Sequence, residues 1–205
     1  CNTLDISSDE LPFAGELMQV KSYELAWQPA LEKLLKPFAM RLIVPDKYYS
    51  KVNKYVNREN LKGRLVYEHV KDIPLVQLGE PGSVHEKLEF NPEQKMYKWV
   101  EQQIIIQYSY ICLNDEKTLD RYEKAITVSG LIKNRQRHEK DDRPNSNDPG
   151  NYVMGWNNEK KRNALLRKRD ILSDNISRAD DTILRCKNKS KRLQGQFYAC
   201  SRIAE

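Results

Sequence analysis

Over the first two thirds of the chain, apolar positions fall into short runs separated by helical stripes. Residues 15–20, 40–44 and 63–67 read as strands. Between the first two, Leu31, Leu34, Leu35 and Phe38 share one face of a helix that Pro29 opens. Between the next two, Asp46 is placed to cap a helix whose buried stripe is Tyr48, Val52, Tyr55 and Val56. Strand, helix and strand in alternation predict a mixed α/β class. Residues 70–91, with Pro74 (outside the described residues), Gly79, Pro81 and Gly82, read as a connection to a second half. There Asn91-Pro92 opens a helix through Met96, Trp99, Val100 and Gln103, and the branched and aromatic run 104–112 predicts a strand. Asn114 caps a short helix to about Tyr122, and 125–128 closes the half as a strand before Gly130. Residues 133–150 contain almost nothing apolar and predict a long exposed loop.

After Gly155 the period changes to seven. With Arg162, Arg169, Ile176, Ile183, Ser190 and Phe197 at a, the d positions are Leu165, Leu172, Ala179, Cys186, Leu193 and Cys200. The expected seam is therefore Leu165, Leu172, Ile176, Ala179, Ile183, Cys186, Leu193 and Phe197. A helix over 156–205 reaches roughly 70 Å at 1.5 Å per residue. A rod of that length needs a partner, and residues 1–14 are too short and irregular to supply the matching seam. The partner strand is expected from a part of the protein outside this chain, or from another chain.

Composition agrees with a domain plus an exposed rod: 31% of residues are charged and 39% are apolar. From Trp156 to Glu205 there are 13 Lys/Arg against 6 Asp/Glu, so this segment carries +7 of the overall +6 and residues 1–155 carry −1. Cys1, Cys112, Cys186 and Cys200 have no metal-ligand or redox spacing, which predicts reduced, cytosolic thiols. No run approaches a membrane span, no signal pattern is present, and the opening Cys1 suggests an excised piece of a longer protein.

An enzyme reading finds no constellation. There is no phosphate-binding Gly-rich loop, no GxSxG and no HExxH, so no catalytic, cofactor or metal residue is expected. His138-Glu139 with Asp141-Asp142 reads as a solvated mixed-charge stretch rather than a metal site. His69 and His85 read as structural. The cations are the one candidate binding feature. Lys133, Arg135, Arg137, His138, Lys140 and Arg143 lie on the expected loop, and Lys160, Lys161, Arg162, Arg167, Lys168 and Arg169 at the root of the rod. Clustered charge of this kind suffices for non-specific phosphate contact with DNA, although the bland alternative is a solvated coiled coil.

Three segments carry a resemblance: 11–17 (Leu-Pro-Phe-Ala-Gly-Glu-Leu), 42–46 with Tyr49, and 63–67 (Gly-Arg-Leu-Val-Tyr). Ala125-Ile126-Thr127 with Gly130, Arg137-His138-Glu139-Lys140-Asp141-Asp142-Arg143, and Tyr152-Val153-Met154-Gly155-Trp156 continue it. Over about 11–170 the chain resembles the hinge region of MukB-like SMC proteins of Wadjet anti-plasmid systems, the JetC family. It departs at Asn134-Arg135-Gln136, where that family has glycine. The resemblance implies a remnant of an ascending arm at 1–10, an SMC-type hinge at 11–155 with halves at about 11–70 and 91–132, and a coiled-coil arm at 156–205. It implies self-association as a homodimer and pairing with the ascending arm of the same parent. The distant ATPase heads would use ATP and Mg, and kleisin-type and nuclease subunits would act on plasmid DNA, which implies a cytoplasmic, bacterial location associated with nucleoid or plasmid. A chromosomal MukB-like condensin hinge, a nucleic-acid-processing enzyme subunit with a coiled-coil tail and a monomeric DNA-binding adaptor are the alternatives.

Overall fold

A computed structural model describes residues 4–72, 77–143, 147–156 and 159–201; the side chains of 159–162, 164 and 198–201 lie outside the description. It divides into two units, 1–158 and 159–205. The first is mixed α/β and the second is one helix.

The N-terminal half is built on a βαβ unit. Strand β2 (Arg41–Pro45) and strand β3 (Val66–Val70) pair in parallel, with Ile43 opposite Glu68. Helix α2 (Asp46–Arg58) connects them. Its apolar stripe seats Val52 against Val44, Ile6 and Leu11, with Tyr48, Tyr49, Val56 and Tyr67 around them. Asp46 is the first residue of α2 rather than its cap, because Pro45 takes the cap position in an extended conformation. The strand expected at 63–67 lies three residues later, past exposed Gly63 and Arg64. Of residues 1–10, expected as an arm remnant, Ser8–Glu10 form a 3-10 turn, and Ile6 is buried in this cluster.

Helix α1 (Gln28–Ala39) opens with Pro29 as its pattern predicts. It sends Ala30, Leu31, Leu34, Leu35 and Phe38 into the main core, where they meet Leu17, Met18, Ile104 and Ile126. Strand β1 (Met18–Val20) is shorter than expected, since Ala14–Leu17 form a 3-10 turn. It pairs antiparallel with β4 (Leu88–Phe90), a strand inside the segment expected as a plain connection. A single helical turn, α3 (Val84–Lys87), precedes β4.

The run 104–112 is not one strand. Helix α4 spans Tyr97–Gln107, and only β5 (Ile111–Leu113) is extended. Trp99, Val100, Ile104 and Ile105 recur at helical spacing and are all buried, so packing on one face outweighs the strand preference of branched residues. Asn91 caps a turn instead of a helix, its Oδ1 accepting from the Glu93 amide at 3.1 Å. The helix expected from Asn114 is reduced to a 3-10 turn at Leu119–Arg121.

The second sheet runs β5-β6-β7-β8 with β6 at Lys124–Thr127, β7 at Leu131–Asn134 and β8 at Arg137–Lys140. β5 and β6 are parallel, and the other two pairings are antiparallel. The loop expected at 133–150 therefore begins as a hairpin. Its turn places Arg135 at φ +54°, in the left-handed region that glycine occupies without strain. A long helix, α5 (Glu159–Ser201), follows. Among the described residues no helix is long and apolar enough to cross a membrane.

Candidate functional site

The edges of the sheets are the first place where this unit can meet another molecule, because an edge strand presents unpaired amides and carbonyls. The outer side of β2 is closed by Phe13, bridged to Leu42, and by the Ile43 amide donating to the Pro12 carbonyl at 2.8 Å. The outer side of β5 is closed by Ser83, bridged to Ile111, and by the Cys112 amide donating to the Gly82 carbonyl at 2.9 Å. Among the described residues, β3 and β8 have no strand on their outer sides, and neither do the three-residue strands β1 and β4, which are buried or half-buried.

The β3 and β8 edges differ in chemistry. All four residues of β8 are exposed and it reads Arg-His-Glu-Lys, a charge pattern of the kind that blunts an edge. β3 reads Val-Tyr-Glu-His-Val and contains neither Lys nor Pro. Its side chains are fixed from within: Tyr67 donates to Asn53 Oδ1 at 2.7 Å, Glu68 pairs with Arg41 at 2.6 Å, and His69 meets Asp46 at 2.7 Å while stacking on Tyr49 with centroids 3.6 Å apart. His69 is thus a structural link between β3 and α2. His85 has the same kind of role, bonding Glu101 at 3.1 Å and stacking on Phe90.

The cations expected to form a DNA surface are distributed otherwise than the sequence suggested. Lys133 is buried on β7, its ammonium donating to the Leu119 carbonyl at 3.2 Å with Asp120 at 3.5 Å. Arg137 pairs with Glu139 at 2.6 Å, Lys140 with Asp142 at 3.2 Å, and Arg143 with Asp141 at 2.7 Å. The Arg143 guanidinium and backbone amide hold the Asp141 carboxyl well below the usual carboxylate range. The string 137–143 thus neutralises itself, with three cations against three carboxylates. Arg135 and His138 remain exposed beside it. On α5, Arg169 pairs with Asp170 at 2.7 Å, and Arg167 and Lys168 are exposed. The side chains of Lys160, Lys161 and Arg162 lie outside the described residues, as does that of Cys200.

The heptad seam is exposed along α5. Leu165, Leu172, Ile176, Ile183, Leu193 and Phe197 are between 47% and 71% exposed, and Ala179 and Cys186 are exposed with them. An apolar stripe left this open over a 43-residue helix is built to be covered.

One feature was not anticipated from the sequence. Glu32, 3% exposed on α1, accepts from the amides of Val153 (2.9 Å) and Met154 (3.1 Å). The Gly155 amide donates to the Gly15 carbonyl at 2.8 Å, with Gly155 at φ +120°. A Cβ at Gly15 would collide with the Val153 carbonyl. The Tyr-Val-x-Gly-Trp string is therefore a strap pinned across α1 just before the α/β unit ends. A carboxylate between two apolar helix positions, Leu31 and Leu34, was its signal in the sequence. Among the described residues no group of His, Cys, Asp and Glu is arranged to hold a metal ion.

No protein-family model and no curated protein matches the chain. Among solved structures, a chain from the folded elbow of cohesin matches 96% of this chain at 13% identity with a TM-score of 0.51. The asymmetric dimer of the Geobacillus stearothermophilus SMC hinge domain matches 82% of this chain and 71% of its own at 15% identity and a TM-score of 0.49. The Pyrococcus furiosus Smc hinge domain with an extended coiled coil matches 86% of this chain and 65% of its own at 18% identity and a TM-score of 0.47. This chain spans 30% of the length of the cohesin chain, and the likeness to that chain is one of fold: a mixed α/β unit together with a long helix.

Proposed function

We propose that this chain is the self-associating hinge region of an SMC-like protein, with α5 as one strand of a coiled-coil arm. The observation that carries the reading is the pairing of an α/β unit having an open, uncapped strand edge at β3 with a 43-residue helix whose heptad seam is uncovered. The fold shared with a cohesin chain supports it. The Wadjet role, in which ATPase heads, kleisin-type and nuclease subunits elsewhere in the complex act on plasmid DNA, rests on the sequence resemblance at 11–17, 137–143 and 152–156. In this proposal the chain performs no chemistry and needs no cofactor.

DNA contact is a smaller part of the proposal. With 137–143 self-paired and Lys133 buried, it rests on Arg135 and His138 in the α/β unit and, separately, on Arg167 in α5, and any such binding weakens steeply with salt. The hinge reading is tested by sedimentation equilibrium of the wild type and of Val66→Lys, which places a charge on the β3 edge. A dimer in the wild type that dissociates at least tenfold more readily in the variant supports self-association through β3. A wild type that stays monomeric at all concentrations moves the reading to the DNA-binding adaptor.

A further inference from the structure

A cleft of about 460 Å³ opens between α1 and the face of the β7–β8 hairpin, within the size range of sites that enclose small ligands or peptide side chains. Its floor is apolar: Pro37, Met40, which is 54% exposed, and Ile132. Its walls carry charge of both signs, but the two signs are not equivalent. Asp141 is held by Arg143, Glu139 by Arg137, and Glu32 by the strap amides. Among the described residues, Lys33, Lys36 and Arg64 have no carboxylate within ion-pair distance. Lys33 donates to the Asp141 carbonyl at 2.6 Å and Lys36 to the Asn151 carbonyl at 3.3 Å. The cleft thus offers an apolar floor beside cations whose charge is not neutralised by a direct partner.

We infer that this cleft docks an acidic peptide segment of a protein partner, its carboxylates meeting Lys36 and Arg64 and a neighbouring aliphatic side chain covering Met40 and Pro37. With Arg137 and Arg143 taken up by Glu139 and Asp141, the cations left to a ligand are few and lie beside apolar side chains, so a phosphodiester strand, charged at every residue, fits less well than a short peptide that sets aliphatic residues among acidic ones. The inference is independent of the hinge reading, since it uses no strand edge and no part of α5.

The test is fluorescence anisotropy of a labelled hexapeptide, Asp-Leu-Glu-Glu-Leu-Asp, titrated with the whole chain. The expected result is saturable binding that falls at least tenfold in the Lys36→Glu, Arg64→Glu double variant and also on replacing both peptide leucines by serine. Lys36 and Arg64 are exposed, so the double variant is expected to keep the wild-type melting curve, measured alongside. No saturable binding of the peptide overturns the proposal, as does equal affinity in a folded double variant. A 12-nucleotide single-stranded DNA that binds more tightly than the peptide, displaces it and loses affinity in the same variant also overturns it, and assigns the cleft to nucleic acid.

Discussion

Glu32 and Glu10 show how single carboxylates hold this unit together in two different ways. Glu32 is buried and engages two strap amides. Removing it leaves buried donors unpaired, so Glu32→Ala is expected to cost about 2–5 kcal/mol in urea denaturation. Faster hydrogen exchange at Val153 and Met154 would accompany it. Glu10 is at the surface and bridges Lys47 at 2.6 Å and Lys95 at 2.8 Å, tying the N-terminal turn to α2 and to the turn before α4. Hydrogen bonds from Lys47 and Lys95 lower its pKa from 4.5 to about 2. A depressed carboxylate stabilises the fold above its unfolded pKa and loses that contribution as pH falls toward its folded one. The difference in urea midpoint between the wild type and Glu10→Gln is therefore expected to shrink between pH 6 and pH 3. The sequence marks Glu32 as a carboxylate on an apolar helix face but names the partners of neither Glu32 nor Glu10, because which backbone amides or lysines reach a carboxylate is decided by chain segments far away: 121 residues separate Glu32 from Val153. The charged string 137–143 shows the converse. Its composition was plain, but its meaning changed once the strand geometry paired each cation with a nearby carboxylate.

At the level of elements, patterns with a long clean period were read well and short ones were not. The stripes of α1 and α2 and the heptads of α5 each fix many residues on one face, and all three helices are present. The run 104–112 failed because four isoleucines within eight residues satisfy a strand preference and a buried helical face alike, and only the burial of Trp99 and Val100 on the same side decides for the helix. The hairpin β7–β8 was hidden because an exposed edge strand need not carry an apolar alternation. The seam of α5 makes a separate prediction. Leu172→Glu with Ile183→Glu removes any concentration-dependent association through this helix while leaving that of the α/β unit unchanged, as followed by chemical cross-linking of the two forms. Lys168, Lys187 and Lys189 flank the seam against Asp180 alone, so the strand that pairs with it is expected to be acidic at its flanking positions.

For the whole molecule, the class, a mixed α/β unit followed by a long helix, was legible from the change of hydrophobic period at Gly155. The strand edge proposed for self-association was not, since an open edge is defined by what fails to pair with it. The central claim, that the α/β unit itself holds two copies together, is tested most directly by multi-angle light scattering of the full chain and of residues 1–158 across a range of concentrations. A self-associating hinge is expected to be a dimer in both, insensitive to the loss of α5. A truncated chain that is monomeric throughout, whatever the full chain does, would contradict it.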